Sequence, residues 1–194
     1  VRIGIFGGTF NPVHSGHLVN AQHVAGEFHL DRIVFVPARE PVHKPLEGGA
    51  GAEDRLIMLE LAVRGNDVFE VSRIELDREE PSYTIITLDD MGKLYPGAEL
   101  FLVIGADSYN QLGTWMDYRR ILAGAGIIVM RRPGDDVDRG LYSREGGNVL
   151  FAGNPLIEIS SKRLRSMIKS GESVRYLVPD DVREYIKDRK LYWN

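Results

Sequence analysis

His14 and His17 are the side chains whose type and setting point most directly to chemistry. They sit in the run Gly7-Gly8-Thr9-Phe10-Asn11-Pro12-Val13-His14-Ser15-Gly16-His17, after one apolar segment and at the opening of a helical one. An imidazole exchanges its proton near neutral pH. A helix start offers free N–H groups and the positive end of its dipole to an anion. Gly7 and Gly8 let the backbone approach a ligand closely, and Gly16 keeps the helix start free of side-chain bulk. The pattern predicts a phosphate site made of two imidazoles, glycine backbone and a helix end. Zinc is the alternative, but the pair would need at least a third ligand. His23, His29 and His43 stand at no clear metal spacing from it.

Other phosphate-binding turns do not fit. Gly4, Gly7 and Gly8 do not form G-x-G-x-x-G, and Val36-Pro37-Ala38 offers no acid to hold a ribose, which disfavours hydride transfer. No G-x-x-x-x-G-K-[ST] motif exists either.

The elements that must position the histidines can be read from periodicity. Short apolar runs at Ile3–Phe6, Ile33–Val36, Leu100–Ile104 and Ile127–Met130 suit strands buried on both faces of a parallel sheet. Between them, His17–Phe28 places Leu18, Ala21, Val24, Ala25 and Phe28 on one helical stripe. Arg55–Val63 does so with Leu56, Leu59, Ala62 and Val63, and Tyr83–Leu94 with Ile86, Leu88, Met91 and Leu94. The alternation predicts a doubly wound, mostly parallel α/β sheet. Ligands of such sheets bind outside the carboxyl ends of the strands, where the Gly7–His17 turn falls. Loops are expected at Ala38–Gly51 and Pro133–Gly147. Near the end, a helix starting at Ser160 with Gly171 behind it, and another from Pro179 to about Asp188, should pack beside the sheet and close one end of it. One domain over 1–194 is expected, its C-terminal helical part being about 159–194.

Composition narrows the partners. The net charge is -4, from 24 basic and 28 acidic residues among 194, so no global field draws nucleic acid or an anionic membrane. The absence of cysteine removes disulfides, thiolate chemistry and Cys-based zinc sites. Val1-Arg2-Ile3-Gly4-Ile5-Phe6 lacks the long apolar stretch of a signal peptide, and no apolar run approaches a membrane span. A cytoplasmic setting is expected.

The run Gly8 to His17 resembles the G-x-F-x-P-x-H-x-G-H signature of the HxGH nucleotidyltransferases. That resemblance implies a Rossmann-like fold and transfer of a nucleoside monophosphate from a nucleoside triphosphate, with His14 and His17 catalytic. Further segments are similar to one branch, the bacterial nicotinate-mononucleotide adenylyltransferases: Pro81-Ser82-Tyr83-Thr84 with Thr87-Leu88, Gly105-Ala106-Asp107-Ser108 followed by Trp115, Arg132-Pro133-Gly134, Ile159-Ser160-Ser161 with Arg165, Arg175-Tyr176-Leu177-Val178-Pro179, and the final Leu191-Tyr192.

The resemblance implies that Gly7, Gly8, Thr9, Phe10, Gly105, Asp107, Arg132, Ser160, Ser161 and Arg165 hold ATP. It implies that His43, Lys44, Thr84, Trp115 and Met116 hold nicotinate mononucleotide. Trp115 would stack on the pyridine ring, and the Thr84 hydroxyl and Met116 N–H would meet the nicotinate carboxylate. Ser160, Ser161 and Arg165 would form a second anion site, Ser161 and Arg165 sharing a helical face four residues apart. Mg²⁺ would travel with ATP, with no protein ligand. Lys162 stands where the branch carries Thr, Met116 where it often has Tyr, and Val42 where it has Pro. The rival readings are a nucleotidyltransferase with another phosphorylated acceptor, such as phosphopantetheine, and a non-catalytic nucleotide sensor.

Overall fold

The computed structural model describes residues 1–39, 50–132, 134 and 136–193. Strands and helices alternate: β1 (Arg2–Gly8), α1 (Ser15–Glu27), β2 (Arg32–Pro37), α2 (Ala52–Val63), β3 (Phe69–Val71), α3 (Thr84–Leu94), β4 (Glu99–Gly105), α4 (Ala106–Gln111), α5 (Tyr118–Gly124), β5 (Gly126–Met130), β6 (Val149–Phe151), α6 (Ser161–Lys169) and α7 (Asp180–Asp188). The six strands are all parallel, in the order β3-β2-β1-β4-β5-β6. The chain winds outward from β1 to β3, returns to lay β4 on the other side of β1, and winds outward again. The crevice between the ends of β1 and β4 is therefore the topological switch point, where open α/β sheets bind ligands.

The double-sided burial follows from the two-residue period of a strand. In β2, Ile33 and Phe35 enter one apolar layer while Val34 and Val36 enter the other; in β4, Phe101 and Val103 oppose Leu100, Leu102 and Ile104. Helices α1, α2, α6 and α7 cover the first layer through residues such as Val24, Leu59, Leu164 and Val182. Helices α3, α4 and α5 cover the second through Leu88, Met91, Tyr109 and Ile121. Among the described residues, no helix is long and apolar enough to cross a membrane.

Several local expectations are refined. Strands β3 and β6 are three residues each and only partly buried, too short and too mixed to stand out as apolar runs. The buried stripe of α3 is Ile85, Thr87, Leu88 and Met91, whereas Leu94 is exposed and Ile86 only half-buried. Thr87 tolerates burial because its hydroxyl donates to Glu75 at 2.5 Å. In the glycine-rich 133–147 segment, Tyr142 is buried, its hydroxyl accepts from the Gly113 N–H at 2.7 Å, and Ser143–Glu145 forms a short 3-10 turn. Ser160 caps α6, Gly171 follows it with φ +76°, and Pro179 caps α7. Both helices join α1 and α2 over one face of the sheet.

Candidate active site

Three strand ends converge at the crevice. Gly7 and Gly8 finish β1, Gly105 finishes β4, and Arg132 lies just past β5, whose last residue Met130 is in register with Gly105. A side chain on Gly7 would meet nothing within 4 Å, so backbone there faces open space. Phe10 adopts φ 48° and lays its ring over Gly8.

His14 and His17 are held face to face by the helix they begin. His14 is the N-cap of α1; its Nδ1 accepts from the His17 N–H at 3.3 Å, and the His17 Nδ1 accepts from the His14 N–H at 3.2 Å. This is a capping box in which imidazoles replace the usual hydroxyl and carboxylate. The rings stack with centroids 3.6 Å apart and planes 18° from parallel. Gly16 leaves room for this: a Cβ there would lie 3.1 Å from the His14 Nδ1 and press on the ring.

The bonding assigns the tautomers. A neutral imidazole has one acceptor nitrogen and one N–H. Because both Nδ1 atoms accept, both Nε2 atoms carry hydrogen. Burial, then the positive charge of Arg132, push the His14 pKa down to about 4. His17 is driven well below the ordinary value by burial, then His14, then Arg132. Phe10 and Phe6 wall it in, with ring centroids at 5.1 and 6.1 Å. At neutral pH the site therefore presents two uncharged Nε2–H donors.

The preceding turn is tied from behind, carbonyl by carbonyl. Thr9 O accepts from Arg55 Nη1 at 2.8 Å, Asn11 O from Arg165 Nη1 at 2.9 Å, and Pro12 O from Ser161 Oγ at 2.8 Å. The buried Asn11 side chain accepts from the Tyr192 hydroxyl at 2.7 Å. Ser15, the first residue of α1, donates its N–H to Leu177 O at 2.9 Å and its hydroxyl to Tyr176 O at 3.0 Å. The Arg175–Pro179 segment thus supplies acceptors to the start of α1.

Asp107, in the first turn of α4, pairs with Arg132 at 3.0 Å. A Cβ on Gly105 would fall 2.7 Å from Asp107 Oδ1 and 2.9 Å from Arg132 Nε, so a side chain there would displace the pair. Asp107 Oδ1 is buried without a hydrogen-bond partner, which marks it as an acceptor awaiting a donor.

The predicted residues divide accordingly. Gly7 to Phe10, His14, His17, Ser161 and Arg165 meet around one turn, while Gly105, Asp107 and Arg132 meet at the neighbouring strand ends. The Ser160 hydroxyl accepts from the Arg163 N–H at 3.3 Å, so it caps its own helix. Thr84 opens α3 half-buried. Trp115 is half-buried against the second apolar layer, and Met116 beside it is exposed. His43 and Lys44 lie outside the described residues. The sequence assigns no role to Arg55, Tyr192 or Asn11, although Asn11 lies within the Gly8–His17 run and Tyr192 in the matching Leu191-Tyr192. Arg55 had a signal, since it shares a helical face with Leu59 and Ala62 and so falls on an apolar stripe. Among the described residues, no three His, Asp or Glu side chains cluster as a metal site would need.

Comparison with known proteins follows this geometry. A family model described as cytidylyltransferase-like matches residues 5–167. The chain is 41% identical, over 98% of its length and 90% of the relative's, to the "Probable nicotinate-nucleotide adenylyltransferase" of Corynebacterium kroppenstedtii. It is 39% identical, over 99% of its length and 98% of the relative's, to the protein of the same name from Geobacter sp. (strain M21). Its fold is similar to that of Plasmodium falciparum nicotinic acid mononucleotide adenylyltransferase complexed with NaAD, with a TM-score of 0.83 at 18% identity, over all of this chain and 98% of that one.

Proposed function

Because the chain belongs to the cytidylyltransferase-like family and, within it, to the nicotinate-nucleotide adenylyltransferases, we propose that it transfers the adenylyl group of ATP to nicotinate mononucleotide. The products are nicotinate adenine dinucleotide and pyrophosphate, a step of NAD biosynthesis. The observation that carries this reading is the stacked His14–His17 pair with both Nδ1 atoms bound to backbone. Both Nε2–H groups are thereby left to donate to phosphate oxygens.

The reaction is an in-line displacement. An oxygen of the acceptor's 5′-phosphate forms a bond to the α-phosphorus of ATP. The bond from that phosphorus to the bridging oxygen of the pyrophosphate breaks, and its electron pair departs with pyrophosphate. The attacking phosphate is already ionised at neutral pH, so no side chain has to remove a proton. Catalysis is positioning plus stabilisation of developing charge. His14 and His17 donate to the α- and β-phosphate oxygens, aided by main-chain N–H groups of Gly8 to Phe10. A neutral imidazole already donates through its Nε2–H, so neither histidine has to take up a proton before the nucleotide binds. Arg165 adds positive charge toward the leaving pyrophosphate. The Ser161 proton is engaged by Pro12, so its first part is to hold the turn. Asp107 Oδ1 accepts a ribose hydroxyl, and Gly105 and Arg132 frame that pocket. Trp115 stacks on the pyridine, with Thr84 and the Met116 N–H toward its carboxylate.

The donor set fits a Mg²⁺ carried on the phosphate oxygens and water, since Asp107 is bound to Arg132 and no cluster of three acidic or imidazole ligands stands among the described residues. When bound, the ion offsets negative charge on the triphosphate and eases departure of pyrophosphate. ATP and pyridine mononucleotides are cytoplasmic metabolites, which is the setting this reading carries.

The test is pyrophosphate release from ATP with a panel of acceptors. Nicotinate mononucleotide should be preferred over nicotinamide mononucleotide and phosphopantetheine. Faster release with phosphopantetheine would move the chain to another branch of the superfamily. ATP binding with no release from any acceptor would make it a nucleotide sensor.

A further inference from the structure

The buried cation behind the phosphate turn has no place in the mechanism so far. Arg55 is fully buried on α2. Among the described residues no carboxylate pairs with it, and its Nε has no hydrogen-bond partner. Desolvation draws its pKa down, opposed by the nearby Tyr192, yet a guanidinium stays charged at any physiological pH. Burying a charge without a counter-ion is costly, and an apolar side chain of similar volume is often as stable or more so. Packing alone therefore does not ask for arginine here.

What the guanidinium touches suggests its use. Nη1 donates to the Thr9 carbonyl in the phosphate turn, and Nη2 donates to the Arg39 carbonyl at 3.2 Å. The same Arg39 residue gives its N–H to Ser82 Oγ at 3.1 Å. Ser82 stands two residues before Thr84, at the start of α3. The Arg39 backbone is thus clasped on one side by the pyridine-binding segment and on the other by a residue that also holds the phosphate turn. Two parallel donors on a planar fork fix a separation that a single ammonium cannot.

Resting on the adenylyl-transfer reading, we propose that Arg55 is a positioning residue: by joining the Thr9 and Arg39 carbonyls it sets the spacing between the ATP half and the acceptor half of the cleft. The attacking phosphate then meets the α-phosphorus at the right distance. A misplacement of about 1 Å can cost on the order of 10²-fold in rate.

The test uses Arg55→Lys, Arg55→Met and Ser82→Ala in the full chain. Arg55→Lys should lower kcat by ~10- to 100-fold while KM for ATP stays near that of the wild type and the protein remains folded. Ser82→Ala, at a half-exposed site, should lower kcat by a smaller factor. Combined with Arg55→Lys it should lose less than the product of the two single effects, since both act on one linkage. A folded Arg55→Lys or Arg55→Met protein with wild-type kcat overturns the proposal. So do strictly multiplicative losses. If neither Arg55 variant folds, unchanged kcat in Ser82→Ala overturns it. If the wild type releases no pyrophosphate from any acceptor, the reaction reading has failed separately. The variants are then judged by calorimetric titration of ATP with and without nicotinate mononucleotide. Coupling lost in Arg55→Lys supports the linkage, and coupling retained refutes it.

Discussion

The two halves of the cleft are built to different standards. On the phosphate side, each imidazole is fixed by a backbone bond, and the carbonyls of Thr9, Asn11 and Pro12 are held by three side chains from two distant helices, α2 and α6. On the side proposed to take the acceptor, Thr84 opens a helix, Trp115 leans half-buried on the apolar layer, and Met116 faces solvent. Rate depends on groups aimed at charge that exists only in the transition state, and such groups must be set in advance. Recognition of a flat ring tolerates a broader surface, because stacking falls off gently with displacement. On the proposed reading, one half is organised to react and the other to select.

The largest effect expected from this contrast is at His17. In His17→Asn, the side-chain oxygen can still accept from the His14 N–H while the Nε2–H donor is gone. Steady-state assays should show kcat down by ~10²–10³, with a thermal midpoint close to that of the wild type. Wild-type turnover would reduce the pair to a helix cap. His17→Ala also removes the bond from the His14 N–H to the His17 Nδ1, though not the His14 cap itself, and should cost a further ~0.5–1.5 kcal/mol of stability.

A smaller effect is expected across the cleft. Trp115→Ala should raise KM for nicotinate mononucleotide ~10-fold, the order of one lost stacking contact, and leave KM for ATP nearly unchanged. Equal weakening of both substrates would erase the division between the halves.

The mildest test is acidity. The His14 pKa is about 4 in the folded protein, against 6.5 as the ordinary value, and His17 is displaced in the same direction. Between about pH 6.5 and about pH 4 the unfolded chain binds more protons than the folded one, so stability declines as pH falls through that window. Scanning fluorimetry should show a midpoint that drops over this range, with a shallower drop in His14→Asn. Saturating ATP should also flatten it, since a bound polyanion favours imidazolium. An identical slope in His14→Asn would mean that the imidazole is not held neutral.

What could be read from sequence follows from how far apart the partners lie. The Gly7–His17 turn is local: its glycines, its cap and its helix start stand within a few residues, so type and spacing were enough. The same holds for Ser160, Gly171 and Pro179, whose capping roles need only neighbours. The roles of Arg55, Tyr192 and Asn11 are not legible in sequence because they come from contacts between residues 46 and 181 positions apart. In α3, Leu88 and Met91 lie on the buried face that the spacing predicts, but Ile85 and Thr87 join them in place of Ile86 and Leu94, and a buried Thr87 satisfied by Glu75 looks polar in one dimension. Ser160 and Ser161 read as equivalent hydroxyls, yet one serves its own helix and the other reaches Pro12.

The ties on the phosphate turn also have a consequence in time. Pro12, Asn11 O and the Asn11 side chain take their donors from residues 149, 154 and 181 positions downstream. A nascent chain that has emerged from the ribosome only as far as β5 holds both histidines and most of the sheet, but none of these clamps. Contacts of such sequence separation form late and slow folding. Nucleotide chemistry should therefore begin only after the tail has emerged and docked, so that a prematurely terminated product would carry the signature of the enzyme without its competence.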